Sequence, residues 1–172
     1  MVNEFESVAT ICRALRDAGV RYLIVGGLAV LFHGYGRPTG DMDLVLDMDE
    51  ANLKKALAAL KQLGYCPRAP VPIEAFALRS NRESWAIDKH MKVFSLFDPA
   101  QRMIEVDLFL SPPLDLERAF AAAVTFELEP GLPLPVVGLD HLLDLKRQAG
   151  RPQDLLDIRQ LEALRRERHD RS

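Results

Sequence analysis

The chain has 172 residues, is 48% hydrophobic and 27% charged, and carries a formal net charge of −3. A chain of that size buries enough surface to fold without a disulfide or a structural metal, and that charge leaves the chain as a whole with no nucleic-acid footprint. Cys12 and Cys66 make neither a C-x-x-C pair nor a zinc spacing, and are expected as two buried free thiols in a reducing compartment. The opening MVNEFESVATIC has no cationic segment and no long apolar one, and no apolar run approaches the ~20 residues of a membrane span. A cytoplasmic protein with no membrane partner is therefore expected.

In chain order, Phe5, Val8, Ile11, Cys12 and Leu15 recur at helical spacing, which predicts an amphipathic helix over 4–18, closed by Gly19. RYLIV at 21–25 is apolar and β-branched, as in a buried strand. Gly26-Gly27 ends it, 28–33 is a short buried helix, and 34–40 is a loop. DMDLVLD at 41–47 alternates polar and apolar as a strand does, and 49–63 is a second amphipathic helix with Asp49 as its cap.

Pro67, Pro70 and Pro72 interrupt the next stretch, so 73–90 reads either as a strand then a helix or as one irregular excursion. Residues 92–97 and 103–110 are strands, expected to form an antiparallel hairpin. A helix follows over 114–124, then one or two short edge strands over 125–137, then helices over 139–149 and 153–168 around Gly150-Arg151-Pro152. The order predicts a single α+β (mixed α/β) domain over 1–172, with a core of about 20–138 and a helical part of about 139–169 packed on it.

Chemistry concentrates in 25–47. Asp41 and Asp43 are two residues apart on a strand, so both carboxylates share one face of the sheet. Like charges held side by side are unfavourable unless a cation neutralises them, and a hard dication prefers such oxygen ligands. A strand opening on two acids is common without a site, so the pair alone is weak. Gly26 and Gly27 strengthen it, because they let a backbone approach phosphate closely at a helix start, although a plain strand-to-helix turn also wants small residues. On 103–110, Glu105, Asp107 and Phe109 face one way and Val106, Leu108 and Leu110 the other. An acid in a buried strand is costly unless paired or metal-bound. If this strand lies beside 41–47, Asp107 completes a carboxylate triad, while Glu105 is read as exposed surface.

Gly26-Gly27, His33-Gly34, Arg37, Thr39, Asp41, Asp43 and Leu44, with the later Val106-Asp107-Leu108, resemble the polymerase-beta-type nucleotidyltransferase superfamily, and most closely its small prokaryotic AbiEii-like members. The likeness extends over Asp140 to Leu161, where such proteins carry a Lys, an Arg and a following Asp. It implies a central mixed sheet flanked by helices. It also implies a Mg2+-dependent transfer of a nucleoside monophosphate from an NTP to an acceptor hydroxyl. Asp41, Asp43 and Asp107 would hold two Mg2+ ions, and Gly26, Gly27, Arg37, Thr39, Lys146 and Arg151 would bind the nucleotide. Asp107 would also help activate the attacking hydroxyl. The acceptor would be tRNA, a protein or a small molecule, and a toxin-like member would have an antitoxin partner.

The polymerising branch usually has Gly-Ser after the strand, where this chain has Gly26-Gly27-Leu28, so a hydroxyl that could touch phosphate is missing. A catalytically weakened nucleotide-binding or interaction module is the alternative, and a module whose aspartates never converge is a third reading. For single residues, Arg37 either neutralises phosphate or pairs with an acid of the triad, and Thr39 orders its loop. His33 is read as structural and Trp85 as a core or interface residue. Asp154 and Asp157 are read as organising helix packing, paired with Arg151 or Arg159, and 165–169 as a solvated, fraying helix end.

Overall fold

The structure, a computed structural model, describes residues 3–172. Helix α1 (Glu4–Asp17) opens the chain, capped by Asn3, whose side chain accepts from the Glu6 amide. Its Val8, Ile11, Cys12 and Leu15 are buried, as their spacing requires. Then come β1 (Tyr22–Val25), α2 (Gly26–Phe32), β2 (Asp41–Leu46) and α3 (Glu50–Gln62), the last capped by Asp49. The ambiguous middle resolves into β3 (Cys66–Pro67), a 3-10 turn (Ile73–Ala77) and α4 (Arg79–Asp88). Strands β4 (Val93–Phe97) and β5 (Glu105–Phe109) form the expected antiparallel hairpin. Helix α5 (Leu116–Ala121), β6 (Val124–Glu129), β7 (Leu132–Val136), α6 (Leu139–Ala149) and α7 (Pro152–Asp170) complete the chain.

The seven strands make one mixed sheet in the order β3-β4-β5-β2-β1-β7-β6. The expected α+β architecture is thus present, with parallel pairs β2–β5 and β1–β7 and antiparallel pairs elsewhere. One expectation needs correction: of the two strands within 125–137 only β6 is at an edge, because β7 is inserted between β6 and β1. Its alternate residues Leu132, Leu134 and Val136 are buried, a pattern that a Pro-containing strand conceals.

Register places two contrasting rows side by side. Ile24, Leu44, Leu108 and Phe94 pair in turn across β1, β2, β5 and β4, and all four are fully buried. Phe94 packs in parallel against Trp85 at 5.1 Å between ring centroids and lies 5.4 Å from Phe76, so α4 and the 3-10 turn cover this face. Trp85 is a core residue. The next row is Val25, Asp43, Asp107 and Ser95, and strand alternation turns it to the opposite face. There α2 packs on β1 and β2, and α6 packs on α2 and α7.

Two further expectations change. Cys12 is buried, and burial pushes its thiol up to about 11, but Cys66 is exposed because it sits in the two-residue edge strand. Residues 165–169 are more than a fraying end: Arg165 donates to Asp140 at 2.7 Å, and Arg168 donates to the His33 carbonyl at 2.8 Å. His33 is structural as read. It is buried, its Nε2 lies 2.8 Å from the Val137 carbonyl, and burial lowers its pKa. No helix among the described residues is long and apolar enough to cross a membrane.

Candidate active site

Parallel pairing of β2 with β5 sets Asp43 directly beside Asp107 and Asp41 beside Glu105. Asp41, Asp43 and Asp107 thereby gather, with one carboxylate oxygen of each within 4.8 Å of the others. The reading in which the three never converge is excluded. Among the described residues no salt bridge ends on any of them. Burial first, then the charges of Asp41 and Asp107, push the Asp43 carboxyl up to about 7. Burial likewise raises Asp107, against a hydrogen bond from Ser95. The Asp107 Oδ1 atom is buried with no hydrogen-bond partner among the described residues, a costly state for a carboxylate oxygen unless a ligand completes it.

These residues therefore fit a divalent cation: three hard oxygen donors, a raised carboxyl that a cation would deprotonate, and an orphaned buried oxygen. Glu105, the fourth acid nearby, is committed elsewhere. Its carboxylate pairs with Arg68, with Nε at 3.2 Å, on a partly exposed face as anticipated.

The triad opens into a cleft of about 890 Å³ that also receives Gly26, Gly27, Arg37, Thr39, Lys146 and Arg151. All nine residues singled out in the sequence line this one space. Gly26 has φ +65°, and a Cβ there would overlap the Asp43 carboxylate. A Cβ on Gly27 would fall 2.6 Å from Thr39 Oγ1. Gly26 is thus required both by the turn into α2 and by the closeness of Asp43, and Gly27 by the closeness of Thr39. Thr39 orders its loop, with its hydroxyl 3.3 Å from both the carbonyl and the Oδ1 of Asp41.

The cations differ from one another. Arg37 donates Nε and Nη2 to Asp157 at 2.8 and 2.9 Å, so it pairs with an acid outside the triad. Lys146 is buried between Asp154 at 2.9 Å and Asp157 at 2.8 Å. Arg151 caps α7 and holds Asp154 at 2.8 Å, as one reading of that acid had it, and its side chain is 75% exposed. Asp157 is paired with Arg37 and Lys146, and Arg159 is not its partner. Burial works against the charges of Asp154 and Asp157, yet bonds from Arg151 and Lys146 to the first, and from Arg37, Lys146 and Gln153 to the second, hold both below the usual carboxylate range.

Sequence reasoning missed part of the lining. Ser95 faces Asp107 across the β4–β5 hairpin, and the alternation of 92–97 carried that signal once the hairpin register was known. Val93, Phe109, Pro113, Leu142 and Leu145 give the cleft an apolar side, and Lys92 and Gln148 also reach it. On helix spacing alone these look like ordinary core and surface positions.

No protein-family model and no curated protein sequence matches the chain. Among solved structures it is similar to a protein from Thermotoga maritima described as a nucleotidyltransferase, at 14% identity and a TM-score of 0.52, covering 95% of this chain and 91% of that one. It is similar to ANT(2″)-Ia, solved in complex with adenylyl-2″-tobramycin, at 13% identity and a TM-score of 0.57, covering 97% of each chain. It is also similar to an antigenic nucleotidyltransferase-like protein from Paracoccidioides brasiliensis, at 18% identity and a TM-score of 0.55, covering 94% of this chain and 75% of that one. At such identities the likeness is one of architecture: the chain has the nucleotidyltransferase fold, with three uncompensated carboxylates gathered in its cleft.

Proposed function

We propose that this chain is a Mg2+-dependent nucleotidyltransferase that moves a nucleoside monophosphate from an NTP to an acceptor hydroxyl. The observation that carries the reading is the convergence of Asp41, Asp43 and Asp107, with an orphaned buried oxygen on Asp107 and no salt bridge to any of the three among the described residues. A fold shared with ANT(2″)-Ia, whose complex holds an adenylylated product, supports it.

In this reading Asp41, Asp43 and Asp107 hold two Mg2+ ions. When bound, such a pair stabilises the entering and leaving oxygens of an in-line displacement. Gly26 and Gly27 line the cleft at the start of α2, where their backbone would meet the triphosphate. Lys146 and Arg151 supply positive charge on the α6–α7 side of the cleft, and Thr39 keeps Asp41 in place. Arg37 contributes through Asp157, because its fork is committed there. Asp107 would take the proton of the acceptor hydroxyl as that oxygen bonds to the α-phosphorus. The bond from that phosphorus to the bridging oxygen breaks, and pyrophosphate leaves.

The R-x-T-x-D-x-D-L signature at 37–44 supports a place among the toxin-like AbiEii-like proteins, with tRNA or a protein as acceptor and an antitoxin as partner. A small-molecule acceptor is the variant that ANT(2″)-Ia suggests. One feature favours a second reading, a weakened nucleotide-binding module: Gly26-Gly27-Leu28 follows β1 where the polymerising branch has Gly-Ser, and it offers no hydroxyl.

Isothermal titration with Mg-ATP or Mg-CTP tests the first reading. Binding is expected in the wild type and lost in Asp41→Ala/Asp43→Ala, and binding unchanged in the double variant removes the metal site. Incubation with labelled NTPs, tRNA and cell lysate then separates the two readings. Labelling of an acceptor supports the enzyme, and intact binding without labelling supports the module.

A further inference from the structure

The second acidic grouping in the cleft has a job that helix packing alone does not account for. Asp154 sits in the first turn of α7 and accepts three donors: Lys146 Nζ at 2.9 Å, Arg151 Nε at 2.8 Å and the Arg151 backbone amide at 3.2 Å. Asp157, one turn on and fully buried, accepts Arg37, Lys146 and Gln153. One continuous chain of contacts, Arg37–Asp157–Lys146–Asp154–Arg151, therefore crosses the cleft wall from the β2 approach loop to the α6–α7 turn. It holds three cations against two anions, so one positive charge remains facing the cleft.

The geometry of each cation matters. An ammonium has three N–H donors, and Lys146 commits two of them, to Asp154 and Asp157. The third belongs to a buried group on the cleft lining, whose charge is felt by Asp43. A free lysine explores many rotamers and must be ordered when it binds an anion, but Lys146 is already fixed. Arg151, which lines the cleft, is 75% exposed and would sweep through solvent were Asp154 not holding Nε, and its terminal nitrogens have no hydrogen-bond partner among the described residues.

We propose that Asp154 is a positioning residue for phosphate: it touches no substrate, but it fixes Lys146 and Arg151 together so that their remaining N–H groups meet the triphosphate. Asp157 serves the same arrangement from below by anchoring Lys146 to Arg37. This rests on the reading of the cleft as a nucleotide site and adds which residues make its phosphate end rigid. An asparagine at 154 has one acceptor oxygen in place of two, so it cannot keep both Lys146 and the Arg151 guanidinium.

The test is calorimetric titration of the full chain with inorganic tripolyphosphate in EDTA, which reads the phosphate end without the metal. Wild type is expected to bind, Asp154→Asn to bind about tenfold more weakly, and Asp154→Glu, which keeps the charge, to recover most of the loss. Arg165→Ala is the control, because it breaks another ion pair between the same two helices, Arg165–Asp140. It is expected to bind as wild type. A folded Asp154→Asn with unchanged affinity overturns the proposal, and so does an equal loss in Arg165→Ala, which would reduce Asp154 to packing. If Asp154→Asn does not fold, the Lys146 Nζ and Arg151 Nε resonances of 15N-labelled wild type decide: shifts on adding tripolyphosphate support the proposal, and unmoved resonances overturn it. Asp41→Ala/Asp43→Ala takes two negative charges out of the same cleft and is expected to bind tripolyphosphate more tightly while losing Mg-NTP, so failure of the metal-site reading and failure of this one give different results.

Discussion

Two groups of buried or half-buried aspartates line one cleft, and they are opposites. Asp154 and Asp157 come with their own cations, Lys146, Arg37 and Arg151, and are held below the usual carboxylate range. Asp41, Asp43 and Asp107 come with none. Asp43 is pushed up to about 7, and an oxygen of Asp107 is left buried and unpartnered. The residue type is the same, and so is the neighbourhood. What differs is whether the chain completes the acid itself or leaves it to be completed from outside. The first group is completed within the chain, and the second is left open, which is why we read it as the place for a cation.

Breaking the incomplete group should cost function and not stability. Asp41→Ala/Asp43→Ala is expected to lower any transfer rate by at least about a thousandfold while raising the melting temperature measured in EDTA. A drop in both together would make the triad structural. Breaking the completed group should cost stability as well as phosphate binding. Arg37→Met leaves Asp157 buried with one partner fewer, and is expected to destabilise by about 3 kcal/mol in denaturant titration. A change within about 0.5 kcal/mol would mean that Arg37 was never part of that group.

Acidity sharpens the contrast further. A folded carboxyl raised from 3.8 to about 7 binds a proton that the unfolded chain has lost, so stability falls as pH rises through that window. In EDTA the wild type is expected to gain on the order of 2 kcal/mol between pH 8 and pH 5. Asp43→Asn should flatten that slope, and saturating Mg2+ should flatten it too. Asp154 and Asp157, with lowered values, act in the other direction: their stabilisation is present above the ordinary carboxyl range and is lost only as pH falls below it. The smallest effect is expected at Glu105, paired with Arg68 on a partly exposed face beside the triad. Glu105→Gln should change stability by less than about 0.5 kcal/mol and leave metal-dependent nucleotide binding intact, and a large loss of binding would add it to the metal ligands.

The triad could be found in the sequence because strand alternation is a local rule. Asp41 and Asp43 share a face by spacing alone, and Asp107 declares itself by standing among Val106, Leu108 and Leu110. The glycines were visible for the same reason, since turns leave their mark within a few residues. The completed group as a whole was not, because Arg37 and Asp157 meet across 120 positions, and no short-range pattern says which distant acid an arginine will find. Lys146 and Arg151 were placed at the cleft by family likeness, and the Arg151–Asp154 pair, three residues apart, was legible too, but the attachment of Lys146 to Asp154 depends on how α6 turns into α7. The position of β7 inside the sheet and the exposure of Cys66 failed on the same ground, because sheet order is a tertiary fact.

The most direct test of the central claim is titration of the metal-free chain with Mn2+, followed by electron paramagnetic resonance, with and without a non-hydrolysable NTP analogue. Saturable binding that strengthens with the nucleotide, and that disappears in Asp107→Asn while the fold is retained, is the result expected. Wild type and Asp107→Asn that bind Mn2+ equally, or not at all, would contradict the claim that these three carboxylates are left open for a divalent ion.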